Sequence, residues 1–198
     1  MKRIVIGISG ASGAIYGVRL LELLRGIPGV ESHLVVSEAA KRTIVEETDY
    51  SVKAVEDLAT KRYDNKDIGA SLASGSFKTD GMVIVPCSIK TAAAVAHCLA
   101  NTLIARAADV TLKEGRVLIL VVRETPLHLG HLRVLTGLAE MGAVLLPPMP
   151  AFYNRPKQIE EIVDHTLARV LDRLGLPHTL VAEWQGTHPR VPPPSPAP

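Results

Sequence analysis

Residues 4–17 read IVIGISGASGAIYG: a short apolar run, a string of glycines and other small residues, and the opening of a helical pattern that continues from Tyr16 to Leu24. The same alternation recurs along the chain. Leu34-Val35-Val36 leads into Ala39–Glu47, Met82-Val83-Ile84-Val85 into Thr91–Ala108, Val117–Val122 into Leu127–Met141, and Ala143–Leu146 into Ile159–Leu174. Short β-branched runs alternating with longer helical patterns predict an α/β, three-layer fold: a mostly parallel sheet with helices on both faces. Ligands of such sheets gather at the carboxyl ends of the strands. Here those ends are Gly7-Ile8-Ser9-Gly10, Ser37-Glu38, Pro86-Cys87-Ser88, Arg123-Glu124 and Pro147-Pro148. Residues 49–76 have mixed charge and weak periodicity, and residues 73–77 read as a loop returning to the sheet.

A chain of 198 residues suits one substantial core, so a single domain is expected over residues 1–186. Residues 187–198 form a proline-rich tail, expected to be disordered, with a polyproline docking motif as the alternative. Hydrophobic residues make up 47% and charged residues 21%, ordinary for a filled core. A net charge of +2 gives no support to a nucleic-acid or membrane surface. The apolar stretch after Met1-Lys2-Arg3 is too short for a signal-peptide core or a membrane span, which predicts a cytoplasmic protein. Cys87 and Cys98 lack metal-ligand spacing and read as buried free thiols. His128 and His131 lie one helical turn apart, but no acidic or histidine partner stands at a spacing that would complete a metal site.

The opening loop excludes three familiar nucleotide and hydrolase motifs. Gly7, Gly10 and Gly13 are spaced three apart, unlike the dinucleotide fingerprint. Gly13 is followed by Ala14 and Ile15 rather than by lysine and a hydroxyl residue, so it is not a P-loop. Ser12 has Ala14 two residues on, which fails the nucleophile elbow. Two readings remain: a turn whose N–H groups hold an anion, or a tight turn with no ligand, with Ser9 and Ser12 as helix caps. Pro86-Cys87-Ser88-Ile89-Lys90-Thr91 is a second strand-to-helix junction suited to an anion or a heterocycle rich in acceptors.

The blocks GASGAIYGVRLL, SEAA, EETD, ASGS, MVIVPCSIKT, RAADVTLKE, RETPLHLGHL and GAVLLPPMPAFY, in this order, resemble the UbiX-type flavin prenyltransferases, formerly described as aromatic-acid decarboxylases. The likeness covers roughly residues 3–184 and implies a Rossmann-like (flavodoxin-like) fold. It further implies that FMN in its reduced form accepts a dimethylallyl group at N5 and C6 from dimethylallyl phosphate or diphosphate, without a metal. The product would serve a UbiD-type decarboxylase, and the protein would be a homo-oligomer, commonly a dodecamer, whose sites neighbouring subunits complete.

By the same resemblance Gly10, Ala11, Ser12, Ser37, Ser88, Ile89, Lys90, Thr91 and Arg123 contact FMN. Tyr153 and Arg169 hold the donor phosphate with Arg106, Lys113, Arg123 and Glu124. Ser12, Glu47, Glu124, Tyr153 and Trp184 take part in catalysis. The residue types suit that chemistry. Arginines, a lysine and a tyrosine hydroxyl stabilise a departing phosphate, and aromatic faces stabilise an allylic cation. Glu47, Glu124 or the released phosphate could accept the C6 proton. Read without the family, Arg106, Lys113 and Arg169 are surface charges, Glu47 is a helix carboxylate, and Tyr153 and Trp184 are packing aromatics. Ser9 stands where threonine is frequent in the family, and Gly130 and Val134 replace bulkier or more polar residues around His131. A flavin-dependent cysteine decarboxylase and a non-enzymatic FMN carrier are the alternatives. The first lacks its expected histidine near Ser74-Gly75-Ser76, and the second has no use for the cations around Tyr153.

Overall fold

The valine- and isoleucine-rich runs become strands buried on both faces, as a sheet covered by helices requires. The computed structural model describes residues 1–183 and 186; Trp184 and the tail at 187–198 lie outside them. Among these residues six strands, β1 (Lys2–Ile8), β2 (Val30–Val36), β3 (Lys61–Asp64), β4 (Gly81–Cys87), β5 (Val117–Val122) and β6 (Val144–Leu145), form one sheet in the order β3-β2-β1-β4-β5-β6. Every pairing is parallel. The expected mostly parallel sheet is thus wholly parallel, in the Rossmann order.

Among the described residues seven α-helices surround it: α1 (Ala14–Arg25), α2 (Glu38–Glu47), α3 (Val52–Glu56), α4 (Ile89–Ala96), α5 (Leu103–Lys113), α6 (Leu129–Glu140) and α7 (Ile159–Leu174). The period of two along each strand sorts the core. Ile4, Ile6 and Ile8 pack with Leu21 of α1, Ile44 of α2 and Leu167 of α7. Val5, Met82 and Ile84 face the other way, into a cluster with Val95 of α4, Ile104 of α5 and Leu138 of α6. No helix among the described residues is long and apolar enough to cross a membrane.

Three local features depart from the sequence reading. The expected single helix over Thr91–Ala108 is two helices, broken where Cys98 takes φ 55° and resumed behind Thr102, whose hydroxyl caps α5. The break has a tertiary cause. Asn65, just after β3, accepts from the N–H groups of Leu103 and Ile104 through its backbone and side-chain oxygens (2.8 and 3.1 Å), which fixes where α5 begins. Residues 49–76 also hold more structure than their periodicity suggests, because β3 is a short, polar edge strand paired with β2 alone. Of the two thiols expected to be buried, only Cys87 is, and burial pushes it up to about 12; Cys98 is exposed.

His33 of β2 is buried between the rings of Tyr63 and Phe77, with Nδ1 2.9 Å from the Tyr63 hydroxyl. Burial is the main influence on its imidazole and holds it below the ordinary histidine value, although Glu31 lies 3.8 Å from Nε2. The unfolded chain therefore takes up this proton first. The His33 contribution to stability is complete above the unfolded value, about 6.5, and is lost as pH falls from there toward the folded value. Denaturant melts of the wild type should lose stability as pH falls below about 6.5, and His33→Gln should flatten that slope.

Candidate active site at the topological switch point

The chain winds from β1 outward to β3, then returns to start β4 beside β1, so the loops after β1 and β4 diverge and leave a crevice. Ser9, 1% exposed, spans the two loops. Its hydroxyl donates to the Pro86 carbonyl (2.9 Å) and accepts from the Ser88 N–H (2.7 Å), and its own N–H donates to Pro86 (3.2 Å). The neighbouring strand ends join the same edge: Ser37 N–H donates to the Ile8 carbonyl and Arg123 N–H to the Cys87 carbonyl, both at 3.0 Å. Gly13 sits at φ +100°, where a side chain would be strained. At Gly10 a Cβ would lie 2.3 Å from the Ala39 Cβ, so only glycine lets this loop rest on the start of α2. One edge of the sheet therefore carries Gly10, Ala11, Ser12, Ser37, Arg123 and the run Ser88–Thr91.

Three helices begin around this crevice, and they end their backbones differently. At α2 and α4 the Ser37 and Ser88 hydroxyls cap the third residue, accepting from Ala40 and Thr91. Among the described residues the N–H groups of Glu38, Ala39, Ile89 and Lys90 meet no acceptor, which leaves two helix starts able to receive an anion. Helix α1 is closed instead. No hydroxyl caps it; the Glu47 carboxylate, arriving from the last turn of α2, accepts from Gly13 N–H (2.7 Å) and Ala14 N–H (3.1 Å). So neither Ser9 nor Ser12 is a helix cap. Partial burial opposes the Glu47 charge, but the Ser12 hydroxyl, the two N–H groups and the Arg123 guanidinium together hold the carboxyl below its usual range. Among the described residues the Arg123 side chain makes no hydrogen bond.

Apart from Arg123 and its neighbour Glu124, the residues expected to hold the donor lie elsewhere on the chain. Tyr153 and Arg169 line one cleft of about 870 Å³ between α7 and the segment after it. In that cleft the Tyr153 hydroxyl lies 3.0 Å from His165 Nε2, and Arg169 Nη1 donates to Asp172 (3.1 Å). Helix α7 ends beside Lys2, the first residue of β1, so Arg169 sits toward the amino edge of the sheet, away from Ser12. Lys113, paired with Glu114, closes α5 just before β5 and lies at that same amino edge, about 20 Å along the sheet from Arg123. Arg106 is anchored to the Ala73 carbonyl (3.1 Å) and to Asp109 (2.8 Å). Glu124 accepts from the Thr125 N–H (3.1 Å) in its own loop.

Sequence reasoning missed His165, Asp172 and His178, which line the Tyr153 cleft, and the closure of α1 by Glu47. His165, Arg169 and Asp172 recur at spacings of four and three, so a helical-face count would have grouped them. Among the described residues no metal-binding cluster forms. His128 caps α6 instead, its Nδ1 accepting from Gly130 N–H (3.0 Å), with its ring 3.5 Å from that of His131. The small Gly130 serves this cap, since a Cβ there would come within 2.8 Å of the His128 ring.

Removing the Glu47 carboxylate leaves two α1 donors bare. Glu47→Ala should lower unfolding free energy by about 1 kcal/mol at neutral pH in denaturant melts. Because the folded carboxyl is held low, this contribution is present above the unfolded carboxylate value and is lost as pH falls through the folded one. The gap between wild type and variant should close there.

The Flavoprotein family model matches residues 1–171. Over 188 residues the chain is 56% identical to the flavin prenyltransferase UbiX of Escherichia coli (strain K12), covering 94% of this chain and 100% of that protein. The dodecameric FMN-dependent UbiX-like decarboxylase of Escherichia coli O157:H7 superposes with a TM-score of 0.91 at 50% identity, covering 93% of this chain and 100% of the other. AnUbiX in complex with FMN and dimethylallyl pyrophosphate superposes at 0.92 with 44% identity, covering 94% and 99%. With this sheet order, these strand-end blocks and that identity over nearly its whole length, the chain belongs to the UbiX flavin prenyltransferase family.

Proposed function

We propose that the protein joins a dimethylallyl group, from dimethylallyl phosphate or diphosphate, to N5 and C6 of reduced FMN, and that the prenylated flavin serves a UbiD-type decarboxylase. One observation carries the reading: the switch-point crevice holds an ionised Glu47 against Ser12 on one side and two open helix starts with Arg123 on the other.

That donor set fits FMN. The open N–H groups of α2 and α4, with the Ser37, Ser88 and Thr91 hydroxyls and Lys90, suit a phosphate monoester, and Arg123 suits the electron-rich edge of a reduced flavin. Gly10 and Ala11 present a small-residue surface on which a ring system can rest. When bound, the reduced flavin supplies the nucleophilic nitrogen and carbon.

The chain's own residues supply charge and orientation. With its O–H turned toward the Glu47 carboxylate, Ser12 offers its oxygen as an acceptor for a flavin N–H. The Glu47 anion stabilises a developing allylic cation. Held below the usual carboxyl range, it is a poor proton acceptor, so the C6 proton falls to Glu124 or to the released phosphate. Tyr153, Arg169, Arg106, Lys113 and Arg123 meet the donor phosphate in place of a metal, and the Tyr153 and Trp184 rings stabilise the allylic cation. Lys113 and Arg169 lie too far from Ser12 on one chain, so the reading includes a homo-oligomer, expected to be a dodecamer, in which these residues complete a neighbour's crevice.

Pure protein given reduced FMN and either donor should yield a flavin heavier by one prenyl group in mass spectrometry. No modified flavin with both donors would sink the enzyme reading and leave a carrier. Ser12→Ala should slow prenylation by about 100-fold while FMN affinity stays within about threefold. Light scattering should give the mass of twelve chains.

A further inference from the structure

The cleft beside Tyr153 is floored by one face of α7. His165, Ala168, Arg169 and Asp172 follow the i, i+3, i+4, i+7 spacing that puts side chains in a row, and the segment after the helix, which carries His178, forms the opposite wall. Asp172 touches both sides. Its Oδ2 accepts from Arg169 Nη1 (3.1 Å) and its Oδ1 from His178 Nε2 (3.0 Å). The two contacts use different oxygens, so they hold together.

We propose that Asp172 is a positioning residue for the donor phosphate, aiming the Arg169 guanidinium into the cleft while tying the His178 wall to α7. This rests on the reading that Arg169 binds that phosphate. The Arg169 side chain is 66% exposed, and alone it would sample many rotamers. One N–H pinned by Asp172 fixes the plane of the fork and leaves its other donors for a phosphate, which needs planar recognition more than a point charge. His178 makes the opposite wall depend on the same carboxylate: its side chain is only 14% exposed, its Nδ1 is buried without a partner among the described residues, and Asp172 is its hydrogen-bond partner. The carboxylate also repels a phosphate dianion. Positioning and repulsion have opposite signs, so affinity tells which one wins.

The test is titration calorimetry of dimethylallyl phosphate into the full-length protein loaded with oxidised FMN, which binds the donor without turnover. Arg169→Ala and Asp172→Ala should each weaken donor binding about tenfold, and the double variant should be no weaker than Arg169→Ala alone. Asp172→Asn, which keeps an acceptor oxygen for Arg169, should stay within about threefold of wild type. FMN affinity should hold throughout, and the thermal midpoint should hold in Arg169→Ala and Asp172→Asn, because an exposed ion pair contributes little to folding. Asp172→Gln, its oxygen displaced by one methylene, carries the same expectations as alanine if the alanine variant fails to assemble.

Unchanged or tighter binding by Asp172→Ala, with Arg169→Ala weakened, would overturn this proposal and leave the donor reading standing. A full additional loss on top of Arg169→Ala would overturn it too, since Asp172 would then act on the wall and not through Arg169. Wild-type binding by Arg169→Ala would remove the donor reading itself.

Discussion

The buried Ser9 hydroxyl is the joint on which the crevice depends. At a switch point two adjacent parallel strands send their loops apart, and the sheet's ladder of hydrogen bonds ends there. The pairing of β1 with β4 ends at Gly7 and Ile84, and β4 is irregular between Ile84 and Cys87. Ser9 takes over beyond that point, with one hydroxyl serving as donor to Pro86 and acceptor from Ser88. A buried polar group satisfied in both roles stabilises one geometry and penalises others. Threonine carries the same hydroxyl, so the departure to serine at this position keeps the joint.

From that joint follows the unequal charge of the crevice. All three helix starts present partial positive charge there. Glu47 neutralises one of them from within the chain, and the resulting anion sits beside Ser12 and faces Arg123. The other two keep their positive ends. The crevice is therefore polarised before any ligand enters: an anionic edge next to Ser12 and anion-receiving ends at Ser37 and Ser88. A molecule with a phosphate at one end and a cation developing at the other matches that polarity, whereas a ligand carrying only negative charge would meet Glu47 as a repulsive neighbour.

How far the sequence could be read depended on the range of the forces involved. Strand alternation is local, so β1, β2, β4 and β5 and the two-sided core were legible from β-branched runs. The helix break before Leu103 was not, because its cause is Asn65, 38 residues earlier along the chain. Gly10, Ala11, Ser12, Ser37, Arg123 and the run Ser88–Thr91 were legible as one group because they follow strands directly, where topology alone gathers them. The role of Glu47 as the α1 cap was hidden for the opposite reason. It sits at the end of a helix of ordinary composition, and only the packing of α2 against the β1 loop, at Gly10 and Ala39, brings it to Gly13.

The four cations assigned to the phosphate divide along the same line. Arg106, Lys113 and Arg169 each pair with an acid one or three residues onward, Asp109, Glu114 and Asp172, while among the described residues Arg123 forms no such pair with Glu124 beside it and acts on Glu47 across the crevice. Exposed pairs of this kind contribute little to folding yet hold a side chain near one orientation. They suit residues that remain solvated on a lone chain and meet a further anion with the donors the pair leaves open. Lys113 and Arg169 stand at the amino edge of the sheet, the length of a strand from Arg123, and a folded sheet does not bend to close that gap. If all four act on one phosphate, the rigidity that makes each chain's crevice well defined also forces the donor site to form between chains.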